Sequence, residues 1–254
     1  MNFSIPTVTV VPIILHEGQL KAVLMHHVAP DGAPKLRLLQ QEVDPDQDVN
    51  LDFCARRALT STFGIEDGQL VECQLQTGRD SIAEVRDDVD GNRAPRAWNV
   101  HALYCALMRP ESLEAIQGRN VELFDLHSCY EISTFEEDPN ALMIGDRGVD
   151  PMIVSALKIV DIHMRERGQM SKLPAFLVAR EFTLSELQEA YEATVGIKID
   201  PANFRRKVDM LEMVSQVGER RETSRRPTSL YALKGMELDL DRNIFSGGAR
   251  AMTV

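Results

Sequence analysis

Apolar positions along this chain change their spacing repeatedly, and each change predicts an element. Val8 to Leu15 is apolar and rich in β-branched residues, and Leu20 to His26 is apolar again after the Glu17-Gly18 turn, which predicts a hairpin or adjacent strands. Asp31-Gly32 and Pro34 mark a loop, Leu36 to Val43 reads as another strand, and Asp44 to Asn50 is a polar break. The spacing then becomes helical through Leu51, Cys54, Ala55, Ala58, Leu59 and Thr62, until Gly64 ends it. Strand signals resume at Leu70 to Gln76, Val100 to Met108 and Val121 to Leu126. The polar stretch from Arg79 to Arg96 reads as a long exposed loop.

A second helical pattern opens at Asp150-Pro151, with a buried stripe of Met152, Ile153, Ala156, Leu157, Val160 and Met164, and Gly168 closes it. A short apolar segment, Leu173 to Val178, follows. Thr183 with Glu186 is a capping box, and Leu184, Leu187, Tyr191 and Val195 recur at helical spacing before Gly196 stops the helix. Asp200 and Pro201 start the next helix as cap and first residue. Phe204, Val208, Leu211 and Met213 then face inward, leaving Asn203, Arg205, Arg206 and Lys207 mostly on the outer side. Val214 to Val217 and Ser229 to Leu233 read as two short strands. Gly235 to Val254 has little periodicity and is expected to fray.

Two helices, then two strands joined by an arginine-rich connection, is the order of a winged helix-turn-helix. Polar and cationic side chains in the first turns of a recognition helix suit the major groove. In the wing, Arg220, Arg221, Arg225 and Arg226 can contact phosphates or enter a minor groove, while Ser224, Thr223 and Thr228 can donate to phosphate oxygens. The alternative is a solvated hairpin with ordinary surface charge, and charge distribution argues against it. Residues 200–234 hold eight Lys and Arg against five Asp and Glu, a local +3 in a chain of net charge −11. Nonspecific binding of nucleic acid over the whole surface is therefore excluded, whereas a DNA reader with one basic module is not.

The remaining chemistry is sparse. With 254 residues and 44% apolar content, the chain can build one large domain or two modest ones. No apolar run reaches the roughly 20 residues of a membrane span, and the N-terminus has no basic leader, so a cytoplasmic protein is expected. Cys54, Cys73, Cys105 and Cys129 have no metal-site spacing and are expected to be free, mostly buried thiols. His26 and His27 fall on opposite faces of a strand, and His16, His101, His127 and His163 have no ligand spacing. No phosphate loop, GxSxG or HExxH pattern is present.

The helix LDFCARRALTSTFGI, from Leu51 to Ile65, resembles the helix of the Nudix hydrolase signature, which reads G, five residues, E, seven residues, then R-E-apolar-x-E-E-x-G-apolar. Arg57, Leu59, Gly64 and Ile65 fit; the glutamate positions fall on Val49, Ala58, Ser61 and Thr62, and the first glycine on Val43. In that family the carboxylates hold the divalent metals, and two hydroxyls do not replace them. TLSELQEAYEATVG, NFRRKV and SRRPTSLYAL, in that order, resemble the winged-helix part of the Nudix-related transcriptional regulators of bacterial NAD metabolism.

The resemblance implies an α+β protein: a Nudix-like α/β/α sandwich over residues 1–148, a connecting helix over 149–172, a winged helix-turn-helix over 173–235 and a flexible tail over 236–254. It implies a homodimeric repressor of NAD biosynthesis or salvage genes that binds double-stranded operator DNA. Its effector would be NAD, ADP-ribose or ATP, bound to a catalytically inactive domain with no cofactor and no metal. Asn203, Arg205, Arg206 and Lys207 would lie on the recognition helix, with Arg220, Arg221, Ser224, Arg225, Arg226 and Thr228 on the wing. Arg57, Arg79, Arg93 and Arg96 could neutralise a diphosphate, Trp98 could stack on a base, and Gln40 and Gln41 would sit beside the ligand. The competing readings are an ion pair with a helix neighbour for Arg57 and a core position for Trp98. For the whole chain they are a Nudix-type nucleotide-diphosphate hydrolase or a winged helix used for protein contacts.

Overall fold

The structure, a computed structural model, describes residues 5–28, 32–79, 98–132, 142–144, 147–149, 151–220, 227–235 and 237–245. The chain begins with strands β1 (Thr7–His16), β2 (Gln19–Val28), β3 (Pro34–Arg37) and β4 (Leu39–Glu42). Helix α1 (Leu51–Phe63), β5 (Gln69–Arg79) and β6 (Trp98–Met108) follow. After a 3₁₀ turn come the short α2 (Leu113–Gln117) and β7 (Val121–Asp125), then a second 3₁₀ turn at Leu126–Tyr130. Strands β8 (Leu142–Ile144) and β9 (Arg147–Val149) precede the long helix α3 (Pro151–Gly168) and a third 3₁₀ turn at Leu173–Leu177. The C-terminal part contains α4 (Leu184–Val195), α5 (Pro201–Met210), β10 (Val214–Arg220) and β11 (Thr228–Leu233).

Among the described residues the first nine strands form one sheet, in the order β5-β6-β1-β2-β3-β9-β8, with β4 also on β1 and β7 also on β2. Its central strands are apolar on both faces because helices cover both. Ala102, Tyr104, Ala106 and Met108 of β6 join Val8, Val10 and Ile14 of β1 under α1. The alternate residues Leu103, Cys105 and Leu107 join Val11 and Ile13 on the face covered by α3. The period of two thus sorts each strand between two apolar layers, and the result is the expected α/β/α sandwich followed by a winged helix.

The layer under α3 does not end at α3. One continuous cluster runs from β1, β2 and β6 through Leu157, Val160 and Met164 to Leu187 and Tyr191 of α4 and Phe204 and Val208 of α5. Tyr191 and Phe204 meet at a ring-centroid distance of 5.6 Å, and the Tyr191 hydroxyl donates to the Ser171 carbonyl at 2.7 Å. That buried phenol is both apolar filler and a fixed hydrogen bond.

Local signals set the helix ends. Thr183 Oγ1 accepts from the Glu186 amide and Glu186 Oε2 accepts from the Thr183 amide, the reciprocal capping box. Asp200 caps α5 through the Asn203 amide. Gly196 ends α4 at φ 75°, where a Cβ would meet an Arg165 guanidinium nitrogen at 2.6 Å. Gly64 ends α1 at φ 72° in open space. Both alanine substitutions should lose about 1–2 kcal/mol to the left-handed backbone alone. Gly196→Ala should lose more than Gly64→Ala, because it also displaces Arg165; urea midpoints at pH 7 compare them directly.

Three expectations are corrected. Met152 is exposed rather than part of the buried stripe of α3, because that stripe centres on Ile153, Ala156, Leu157, Val160 and Met164. The expected strand from Leu36 to Val43 is divided into β3 and β4, which pair with β2 and β1 respectively. Residues 237–245 do not fray. Leu240, Ile244 and Phe245 are buried in the main cluster, and backbone bonds tie this strap to the end of α3: Lys172 N to Leu238 O, Leu240 N to Met170 O, and Ile244 N to Gln169 O. A strap crossing another element once needs only a few apolar anchors and no period, so pattern reading passes over it.

Candidate nucleic-acid interface

The exposed side of the C-terminal part is built on α5 and the β10–β11 hairpin. Helix α4 supplies the buried support, with Leu184, Leu187, Ala190, Tyr191 and Val195 inward. On α5, Phe204 and Val208 are buried, and Arg205 and Arg206 point to solvent. Asn203 is half-buried and its Oδ1 accepts from Arg206 at 2.9 Å, so Asn203 orients a guanidinium from within the same helix.

Lys207 is not on the outer side. It is buried, and its Nζ reaches the Asn243 carbonyl at 3.5 Å. The spacing explains this: positions 204, 207, 208 and 211 share one helical face, so Lys207 belongs to the inner stripe and its stem packs beneath the strap.

The hairpin is antiparallel from Val214↔Leu233 to Arg220↔Thr228, with a bulge between Gln216 and Gly218 that raises its local twist. A bridge from Phe182 to Tyr231 fixes it to the segment preceding α4, through reciprocal amide–carbonyl bonds of 2.9 and 2.8 Å. Thr228 is exposed at the tip end, opposite the Arg220 backbone. Arg221, Ser224, Arg225 and Arg226 lie outside the described residues. Helix and hairpin therefore present one exposed arginine pair beside a projecting ribbon, in a chain whose total charge is strongly negative.

Backbone pairing places Gln40, Gln41, Arg79 and Trp98 toward one end of the sheet. Gln40 is exposed and Gln41 half-buried on β4, opposite Thr9 and Val8 of β1. Thr7 of β1 pairs with Glu42 on one side and His101 of β6 on the other. The Arg79↔Trp98 pair closes β5–β6 three residues beyond His101, roughly 10 Å further along the strand at about 3.3 Å per residue. It therefore leaves the sheet at the end where β4 runs into α1. Arg93 and Arg96 lie outside the described residues.

Arg57 is already engaged. Its Nε donates to Asp48 Oδ1 at 2.9 Å and one terminal nitrogen donates to Asp48 Oδ2 at 2.6 Å and to the Glu42 carbonyl at 3.0 Å. This bidentate pair pins the loop between β4 and α1, and its partner stands in that loop rather than on the helix. The Arg57 guanidinium holds the Asp48 carboxyl down to about 2, against an ordinary value of 3.8. A depressed carboxyl contributes stability above its unfolded pKa and loses it as pH falls through the folded one. Asp48→Asn should therefore flatten the stability profile between about pH 4 and pH 2, as followed by circular dichroism in a fixed urea concentration.

Ala58 is fully buried under the sheet, and Ser61 donates to the Ala58 carbonyl at 3.2 Å. Among the described residues no group of three His, Cys, Asp or Glu side chains is arranged to hold a metal, and no helix is long and apolar enough to cross a membrane. Cys54, Cys105 and Cys129 are buried free thiols and Cys73 is partly exposed; burial pushes Cys54 and Cys129 up to about 11, far from thiolate chemistry.

Two polar clusters escaped pattern reading. Arg109, at the end of β6, donates to the Val178 carbonyl at 2.7 Å and lies 5.4 Å from the Phe176 ring centroid, joining the sandwich to the segment before α4. The other is His127 with Asp161 and Arg165. The Asp161/Arg165 spacing of four was legible as a helical ion pair, but its histidine partner was not.

The NrtR DNA-binding winged helix domain family matches residues 174–233. The C-terminal part is an NrtR-type winged helix domain. The chain is also 27% identical over 235 residues to the ADPR responsive transcriptional repressor NtrR of Acinetobacter baylyi, spanning 92% of this chain and 84% of that protein. The NrtR of Shewanella oneidensis, in a crystal structure with a 27mer DNA, superposes with a TM-score of 0.67 at 22% identity, over 91% of this chain and 94% of that one. A MutT/nudix family protein from Enterococcus faecalis superposes at 0.56 with 16% identity, over 92% of this chain and 89% of that one. The chain as a whole thus shares the fold of these proteins, a Nudix-type sandwich joined to an NrtR-type winged helix.

Proposed function

We propose that this protein is a DNA-binding transcriptional repressor of NAD biosynthesis or salvage genes, controlled by a nucleotide bound to its Nudix-like sandwich. The observation that carries the reading is the exposed Arg205–Arg206 pair beside the β10–β11 hairpin on an NrtR-type winged helix. ADP-ribose is the first effector to test, in view of the name of the Acinetobacter relative, with NAD and ATP as alternatives. Gln40, Gln41, Arg79, Arg93 and Trp98 are the residues assigned to it, with Arg57 buttressing the loop behind them. The working division is a sandwich to residue 148, a connecting helix to 172 that also covers one face of its sheet, and a winged helix to 235.

The protein acts as a homodimer in this reading, because two recognition helices on two half-sites multiply specificity. A nucleotide that binds one dimer geometry better than another shifts the population toward it and changes the half-site spacing presented to DNA. The sandwich is a binding domain rather than an enzyme. Val49, Ala58, Ser61 and Thr62 offer a diphosphate-bound Mg²⁺ at most two neutral hydroxyls, where the hydrolase signature has carboxylates.

Fluorescence anisotropy with DNA upstream of NAD-synthesis genes, and with unrelated DNA, tests the reading. Binding should favour one sequence, weaken steeply with salt and shift when one nucleotide is added. Mg²⁺-dependent turnover of ADP-ribose at ordinary enzyme rates would replace the binding-domain reading by the hydrolase one.

A further inference from the structure

One buried charged cluster sits where three parts of the chain meet. The 3₁₀ turn at Leu126–Tyr130 comes from the sandwich, α3 is the connecting helix, and the end of α4 belongs to the winged helix. Asp161 of α3 is fully buried between them. Its Oδ1 lies 2.5 Å from His127 Nδ1, and its Oδ2 accepts from Arg165 Nε at 2.8 Å. His127 Nε2 lies 2.7 Å from the Ala193 carbonyl, and Arg165 donates to the Val195 carbonyl at 3.3 Å. Both carbonyls belong to the last turn of α4.

The protonation of His127 follows from what its two nitrogens face. One meets a carboxylate oxygen and the other a carbonyl oxygen, and neither partner has a proton to give. A neutral imidazole has one N–H, so it would satisfy one oxygen and turn a lone pair on the other; only the imidazolium donates to both. The last turn of α4 is the negative end of its helix dipole, which adds to the preference for cations there.

The other charged and titratable neighbours are Lys158 and Arg165 on α3 and Cys129 and Tyr130 on the turn itself. Asp125 caps the turn through the His127 amide and pairs with Lys21 of β2, and Glu189 of α4 is exposed against the Gly18 turn. Burial pushes the His127 imidazole down, but the Asp161 carboxylate and the Ala193 carbonyl outweigh it, leaving it above the ordinary histidine value.

We propose that His127 is a proton-linked latch that clamps the first helix of the winged domain to the sandwich, and that loss of one proton releases the Ala193 contact and loosens that helix. The latch rests on the regulator reading only for its consequence on DNA; the contact itself needs no DNA. Its sign is fixed by the raised value: the stabilisation is complete below about pH 6.5 and is lost as pH rises through the folded pKa of His127.

Hydrogen exchange on the full chain tests it, at a series of pH values and after correction for intrinsic exchange. Amides at the C-terminal end of α4 should lose about tenfold protection as pH rises, the scale of one released hydrogen bond. The imidazole resonances of His127, followed by NMR in the unmodified protein, should titrate over the same range. His127→Gln, which carries no charge at any pH, should show no such step. Protection that is indifferent to the His127 titration, or a step that survives in His127→Gln, would overturn the latch. Anisotropy on the same samples separates the two proposals. DNA affinity that follows the exchange step supports both. An exchange step without any DNA binding would retain the latch and sink the regulator reading.

Discussion

Neutralising Arg205 and Arg206 together, as Arg205→Ala/Arg206→Ala, is expected to abolish DNA binding and leave the protein folded. Both side chains are exposed on the first turns of α5, so their removal opens no cavity, although it takes from half-buried Asn203 the bond that Arg206 donates to its Oδ1. A good arginine contact to a base edge contributes about 1–3 kcal/mol, so losing two should weaken affinity by roughly 10²- to 10⁴-fold. If either contacts a phosphate, the dependence on salt should also flatten by about one unit per contact. The informative control is Lys207→Ala, two residues along the same helix. Lys207 is buried against the Asn243 carbonyl, so its loss should lower the urea midpoint before it changes affinity. Unchanged DNA affinity in the double variant would point instead to a winged helix that contacts protein.

Asp161→Ala should produce the largest loss of stability from a single change in the charged cluster. Removing one partner of a buried ionic network leaves the others without compensation, a loss of about 3–5 kcal/mol. His127 and Arg165 are partly exposed and can recover some hydration, so the lower end of that range is expected. Asp161→Asn keeps the shape but turns an amide N–H toward one of two donors, so it should rescue only part of the loss. Both variants should also lower the pKa of His127, a readout that a merely space-filling Asp161 would not move. Asp161 itself is held below the ordinary carboxyl value despite its burial, through His127 and Arg165. Its contribution is therefore present above the unfolded carboxyl pKa and is lost as pH falls through the folded one, while that of His127 is lost on the alkaline side. Stability measured against pH should show a plateau with both shoulders, and Asp161→Ala should blunt both while keeping the acid loss that belongs to Asp48.

Much of this molecule was legible because its signals are local. Thr183 with Glu186, Gly196, and Asp200 with Pro201 define helix ends within four residues, and the two-residue period of β1 and β6 defines the sheet. What was missed depends on partners distant in sequence. Asp161 meets His127 across 34 positions and Lys207 meets Asn243 across 36, distances over which no pattern runs. Lys207 is the exception that could have been read, since it stands three residues after Phe204 and four before Leu211 on a helix whose inner stripe was already drawn. β8 and β9 are three residues each, too short for a period to register. In the sandwich, the motif positions were readable but the hold of Asp48 on Arg57 was not, because it depends on how the loop before α1 folds back.

The apolar cluster that runs without a break from the sheet to α5 also bears on how such a protein can change over generations. Two halves with separate cores can be exchanged, duplicated or lost one at a time. Here strands β1, β2 and β6 and the helix that carries Arg205 lean on the same cluster, while Val8, Leu39 and Ala102 at the β4 end belong to the other. A substitution at Leu20 or Val160 therefore falls in the same core as Phe204 and Val208 of α5, although neither residue is near them in sequence. The sheet and the winged helix are in that sense inherited together, and a new pairing of the two has to be built by compensating changes inside the shared core rather than by swapping parts.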